Sequence, residues 1–238
     1  MSLPVIESYE SNSSGVSSSY ALNCNKPSGV EIGDLLVLIC ANDSIYFNEF
    51  QVTAGWTRIG QNATNMDCCV ATYYRIADGT EGVSQSVQAN NRRFWCMFYI
   101  RISGVNQDDP INAVSAFAVQ RNSSNFAIPQ LTTDKDNCLI IYGNSFDGGD
   151  GYPFGIAGNG YVEKDETLSH VSTSGSSACW GSSFLTAAGI TDPAARIYCS
   201  TADGTAYFQF AVNSPDGTLP LPIEFFKHIR TNHTNLRR

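Results

Sequence analysis

The run Leu35-Leu36-Val37-Leu38-Ile39, extended by Cys40, most constrains what this chain can fold into. It is too short to cross a bilayer, and Gly33-Asp34 before it and a polar stretch after it bound a strand over 34–42 with both faces covered. Such a strand needs apolar layers on each side. The chain enters it through a Pro27-Ser28-Gly29 turn, and a second run of the same kind spans Asp136 to Asn144.

The neighbouring sequence reads as further strands. Val5 to Glu10 and Val16 to Leu22 are short strands separated by Ser, Asn and Gly. A loop over Asp43 to Ala54 holds Tyr46, Phe47 and Phe50, and Gly55-Trp56-Thr57 opens the next strand. Asp67 to Ala77 ends at Asp78-Gly79, a hairpin signal, and Val83 to Gln88 alternates apolar and polar. From Phe94 to Ser103 the alternation places Phe94, Cys96, Phe98, Ile100 and Ile102 on one face and Trp95, Met97, Tyr99 and Arg101 on the other.

The second half repeats the first. Strands are expected over Val114 to Gln120 and Asn125 to Leu131. Ser19 to Leu22 matches Asn125 to Ile128, Asp34 to Ile39 matches Asp136 to Ile141, and Gly55-Trp56 matches Gly160-Tyr161. Cys69 to Gly79 matches Cys179 to Gly189, and Cys96, Phe98 and Ile100 match Phe208, Phe210 and Val212. The offset drifts from 102 through 110 to 112, as loop insertions require. The expectation is an all-β fold: a jelly-roll-like antiparallel β-sandwich over 1–214, built from similar halves at 4–105 and 111–213, or two tandem sandwiches, followed by a C-terminal arm at 215–238.

Only 15% of the 238 residues are charged, and the net charge of −8 is unevenly spread. All 22 acids but only 10 of the 14 basic residues precede Lys227, so the body carries −12 and the last dozen residues carry +4. An acidic body argues against a nucleic-acid partner, and no apolar stretch is long enough for a membrane partner. Met1-Ser2-Leu3 has no signal-peptide character and reads as the start of a cytosolic product. The eight cysteines lie mostly inside apolar strand patterns, where a reduced thiol acts as a small core residue. No Cys-x-x-Cys pair is present, and Cys68 and Cys69 point to opposite faces.

Few residue groups suggest chemistry. Asp147-Gly148-Gly149-Asp150-Gly151 has the carboxylates of a calcium turn but not the spacing of an EF-hand, and a solvated hairpin loop explains it as well. His170, His228 and His233 are the only histidines, and no Gly-x-Ser-x-Gly elbow accompanies them. Ser176, Ser177, Ser182 and Ser183 near His170 read as polar faces of a loop and strand. No catalytic residue, cofactor or metal site is assigned. Paired carboxylates for glycoside cleavage stay open, since their separation is not visible in sequence.

The candidate contacts are with proteins. Phe225, Phe226, Lys227, Arg230, Arg237 and Arg238 make an arm in which two aromatics can bury while the charges meet an acidic surface, such as another copy of this chain. Tyr46, Phe47 and Phe50 are the second candidate group. Tyr152 and Phe154 beside the Asp147 turn could likewise stack on a sugar or close the sandwich.

The ordered set Lys26-Pro27-Ser28-Gly29-Val30, Gly33-Asp34-Leu35-Leu36-Val37, Gly55-Trp56-Thr57, Tyr74-Arg75-Ile76-Ala77, Glu81, Trp95, Ile102-Ser103-Gly104-Val105 and Pro110-Ile111 resembles a group of bacteriophage and prophage structural proteins. The resemblance covers about residues 20 to 112, and the second half fits in general form only. It implies a virion component assembled in the host bacterial cytoplasm: a capsid decoration or cement protein, or a tail accessory. It implies contacts with major capsid or tail proteins and a homo-oligomer, with a trimer favoured, and no enzyme site. The alternatives are a lectin-like module at a fibre tip that reads a host glycan and, third, a polysaccharide hydrolase.

Overall fold

The computed structural model describes residues 3–43, 50–62, 68–147, 154–158, 160–169 and 175–215. These residues form an all-β structure of antiparallel strands packed as a β-sandwich, with no helix among them.

The first sheet is ordered β1 (Val5–Ser13), β8 (Trp95–Ser103), β3 (Leu35–Asn42), β6 (Cys69–Ile76) and β5 (Thr57–Gln61). One face of it carries β2 (Ser19–Asn25), β7 (Ser84–Arg93) and β4 (Phe50–Val52), which pair in that order as a second sheet. The third sheet is ordered β10 (Ala118–Ala127), β17 (Arg196–Val212), β12 (Cys138–Asp147), β15 (Ser176–Leu185) and β14 (Val162–Leu168). Two further strands, β9 (Ile111–Val114) and β13 (Phe154–Ala157), also pair with β17, and β11 (Thr132–Thr133) pairs with β16 (Gly189–Ile190).

All eight residues of β3 are buried. Leu36, Leu38 and Cys40 pack with Leu22, Val87, Trp95 and Met97 beneath the second sheet. Leu35, Val37 and Ile39 face the other way, into a cluster with Leu139, Ile141, Trp180, Phe208 and Phe210 of the third sheet. The first sheet is therefore an inner layer, and its central strand has no polar face because both sides lack water. Each fully buried aliphatic side chain there contributes about 1.5–3 kcal/mol. The alternation along β8 sorts as the sequence requires, with Cys96, Phe98, Ile100 and Ile102 toward the third sheet and Trp95, Met97 and Tyr99 toward the second.

Where the inner sheets meet, β3 crosses β12, β15 lies against β8, and β14 lies against β1. Gly143 sits at this crossing. A Cβ on it would stand 2.9 Å from the Phe208 ring and 3.3 Å from Ile39 Cδ1, so these two side chains pack this closely over the position because it is a glycine.

The inner sheets share a pairing register. Ile39 stands opposite Phe98 and Thr72, and Ile141 stands opposite Phe210 and Ser182. The counterparts are 102, 112 and 110 residues apart, the offsets of the sequence landmarks. Several boundaries differ from the sequence expectation: β1 runs on to Ser13 past Glu10, and β2 spans Ser19–Asn25 rather than Val16 to Leu22. β7 runs on to Arg93, well past Gln88. The strand expected over Val114 to Gln120 is divided, with β9 ending at Val114 and β10 beginning at Ala118. The one expected over Asn125 to Leu131 is the end of that same β10, because the chain turns the corner of the sandwich without leaving the ladder. Register shifts near Ser123 make that bend. β17 does the same: its first residues pair with β13 and the end of β10, and its last eight pair with β12.

Candidate functional site

Apart from Trp95, which stands opposite Asn42 at the far end of β3, the residues that carry the resemblance lie toward one end of the first sheet, where several of them set turns. Gly29 and Gly33 have φ of 68° and 95°, so the Pro27–Gly33 turn needs glycine at both. Asp34 follows with its side chain buried to 8% exposure and receives Arg101 Nε at 2.6 Å. The same carboxylate accepts the Glu31 amide at 2.8 Å, while Arg101 also donates to the Ser28 carbonyl. Glu81 accepts the Asp78 and Gly79 amides at 2.8 and 3.1 Å and meets Arg75 at 3.3 Å. The Thr80 hydroxyl and amide, ahead of Arg75, hold the exposed Asp78 carboxyl below its usual range. Trp56 donates its indole N–H to Gln85 at 3.0 Å and meets the Tyr99 ring edge-on.

One cleft opens beside these elements and another at the third sheet. The first, about 570 Å³, lies between Glu31–Asp34, the link Ser103–Asp108, and Pro215. Its lining is polar, with the Gln107 side chain laid over Gly33. The second, about 450 Å³, is lined by Gly160, Phe184, Leu185, Ile190 and Asp192. Here apolar side chains meet solvent: Ile190 is 62% exposed and Phe184 36%.

The edge strand β14 is acidic. Burial, then repulsion from Glu166 and Asp165, raises the Glu163 carboxyl to about 7. Beside this strand the Tyr9 hydroxyl donates to the Lys164 carbonyl at 2.9 Å, which ties β1 to β14. Among the described residues, no group of three or more His, Cys, Asp and Glu side chains is placed to hold a metal ion.

One sequence candidate is corrected. Phe50, expected in a contact loop, begins β4 and is buried at 8% exposure against Trp95, ring centroids 5.5 Å apart. It is a core residue because β4 pairs with β7 and turns that side chain inward. Tyr46, Phe47, Phe225, Phe226, Lys227, Arg230, Arg237 and Arg238 lie outside the described residues, as do Asp150, Tyr152 and the three histidines. Asp147 ends β12 opposite Ser176. Ser176, Ser177, Ser182 and Ser183 all lie within β15 and are buried, with no loop among them. All eight cysteines are buried free thiols.

The sequence reading did not single out Phe184, Ile190 or Glu163. Phe184 aligns with the packed Tyr74 and looks like core, and nothing local shows that the first sheet stops short of it. Comparison with protein-family models, with curated proteins and with solved structures returns no match.

Proposed function

We propose that this chain is a non-enzymatic structural component of a bacteriophage virion, a capsid decoration or cement protein or a tail accessory, acting through protein–protein contacts. One observation carries the reading. Of the residues that carry the resemblance, Gly29, Gly33, Asp34, Arg75 and Glu81 are occupied in fixing turns and one end of the sandwich, with Arg101 as the partner of Asp34. A motif set of that kind marks a shared architecture rather than a shared reaction.

The strand order supports a duplicated jelly-roll-like unit. β1-β8-β3-β6 faces β2-β7-β4, and β10-β17-β12-β15 repeats the first order with β13 in the place of β4. Two such units packed through their inner sheets make a stiff body with apolar cores on both sides of β3. Stiffness suits a part that is added in copies to a shell or tail and held by an arm.

A second reading, a lectin-like receptor-binding module, is favoured by Tyr20. It is 59% exposed with the Arg92 guanidinium 5.9 Å from its ring, an arrangement on which a sugar could stack. Light scattering of the purified chain together with a glycan array, with and without chelator, tests both. A closed oligomer without glycan binding fits the structural reading. A monomer that binds glycans overturns it in favour of the lectin.

A further inference from the structure

The exposed cleft at Phe184 and Ile190 stands next to the point where the described chain ends. Val212 of β17 is in register with Leu139 of β12, and Leu139 with Phe184 of β15. The three side chains form one row on one face of the third sheet. Sheet-on-sheet packing covers the first two, while Phe184 emerges beyond the cover. Two strand spacings separate β17 from β15, roughly 10 Å. The described chain stops three residues after Val212, at Pro215.

We infer that the Phe184–Ile190 cleft is the seat for the C-terminal segment Phe225 to Arg230 of a second copy of this chain. The inference rests on the assembly reading above and names its acceptor surface. Phe225, Phe226 and Ile229 supply aromatic and aliphatic anchors for the Phe184, Leu185 and Ile190 side chains of the cleft. Lys227 and Arg230 bring the opposite charge to Asp192, which lines the cleft, and to Asp136, whose carboxylate accepts the nearby Ala188 amide at 2.7 Å. A body of net −12 repels its copies, and a basic segment at each contact offsets that repulsion.

Reach favours a neighbour's cleft over the chain's own. Nine residues, 216 to 224, precede Phe225 and can span about 30 Å, some three times the gap to the cleft of the same copy. Pro220 and Pro222 have a fixed φ and disfavour the helical region at Leu219 and Leu221 before them, so the sequence is ill suited to a compact fold-back over roughly 10 Å. Passing each arm to the next copy in one rotational sense closes a ring.

The test uses the full chain. A photo-crosslinking residue replaces Phe226, copies of natural and heavy isotope composition are mixed, and cross-linked peptides are read by mass spectrometry. Ile190→Asp, and Phe225→Ser with Phe226→Ser, are compared with the unchanged chain by native mass spectrometry, with circular dichroism to check that each folds. The expected result is a heavy–light cross-link from position 226 to residues 184–192, and an oligomer weakened at least about tenfold by either change. Cross-links that stay within one copy, or that land elsewhere, overturn the inference. An oligomer lost with Phe225→Ser/Phe226→Ser but intact with Ile190→Asp also overturns the cleft while leaving arm-held assembly standing. A chain that is monomeric without any change overturns both.

Discussion

Arg101 Nε donates to the Asp34 carboxylate at 2.6 Å, and that carboxylate also accepts the Glu31 amide at 2.8 Å. The pair joins the entrance of β3 to the neighbouring β8, with both side chains largely shielded from water. Removing one partner strands the other charge. Asp34→Ala should therefore cost about 2–4 kcal/mol, more than an exposed ion pair would. Urea denaturation measures it, and a loss under about 0.5 kcal/mol would show that the turn holds without the pair.

Gly181 lies against Tyr142, whose buried hydroxyl finds no hydrogen-bond partner among the described residues. A methyl at this position collides with that hydroxyl and with the Val162 carbonyl. Gly181→Ala should lower stability by about 2–3 kcal/mol. Tyr142→Phe should be neutral or stabilising by up to about 1 kcal/mol, since it removes an unsatisfied polar atom. Thermal melts of both single variants and the double variant check this: partial rescue in the double variant is expected, and additive losses contradict the account.

Glu163 gives the fold a pH dependence of known sign. Its carboxyl is raised from 4.5 to about 7, first by burial and then by Glu166 and Asp165. The folded state thus holds this proton more tightly than the unfolded chain does. The stabilisation is complete below about pH 4.5 and is lost as the pH rises through about 7. The side chain is part-exposed, which keeps the effect small. The midpoint difference between wild type and Glu163→Gln should shift in favour of Glu163→Gln from about pH 5 to about pH 8. A difference that does not change with pH would contradict it.

The eight thiols are buried, and burial pushes Cys24 up to about 12 and Cys138 to about 11. Cys96 also donates to the Ser176 carbonyl at 3.3 Å. Thiolate, the reactive form, is therefore scarce near neutral pH. Alkylation of the native protein at about pH 8 should be slow at every cysteine, with all eight modified once denaturant is added. Rapid modification of several cysteines without denaturant would show that the packing opens readily.

Much of the inner architecture was legible in the sequence because it rests on local pattern. The unbroken Leu35–Ile39 run required cover on both faces, and alternation along β8 sorted its side chains. The offsets of 102, 110 and 112 recur between Ile39 with its strand partners and Ile141 with its own. Corners were harder. β10 carries a polar stretch and β17 a Gly-containing one that read as breaks, yet ladder hydrogen bonds continue through them by shifting register. Phe50 was misplaced because its burial comes from pairing with Ala89, a distant residue. The exposure of Phe184 depends on where another sheet ends, which no local pattern records. The function of the arm is read from composition and charge alone.

Native mass spectrometry of the whole chain, with and without residues 225–238, tests the central claim most directly. An assembly part held by its arm predicts a closed oligomer, with a trimer favoured, for the whole chain and a folded monomer for the shortened one. A monomer in both cases would contradict self-assembly through the arm, and an oligomer unchanged by the truncation would place the contact between copies on the sandwich itself.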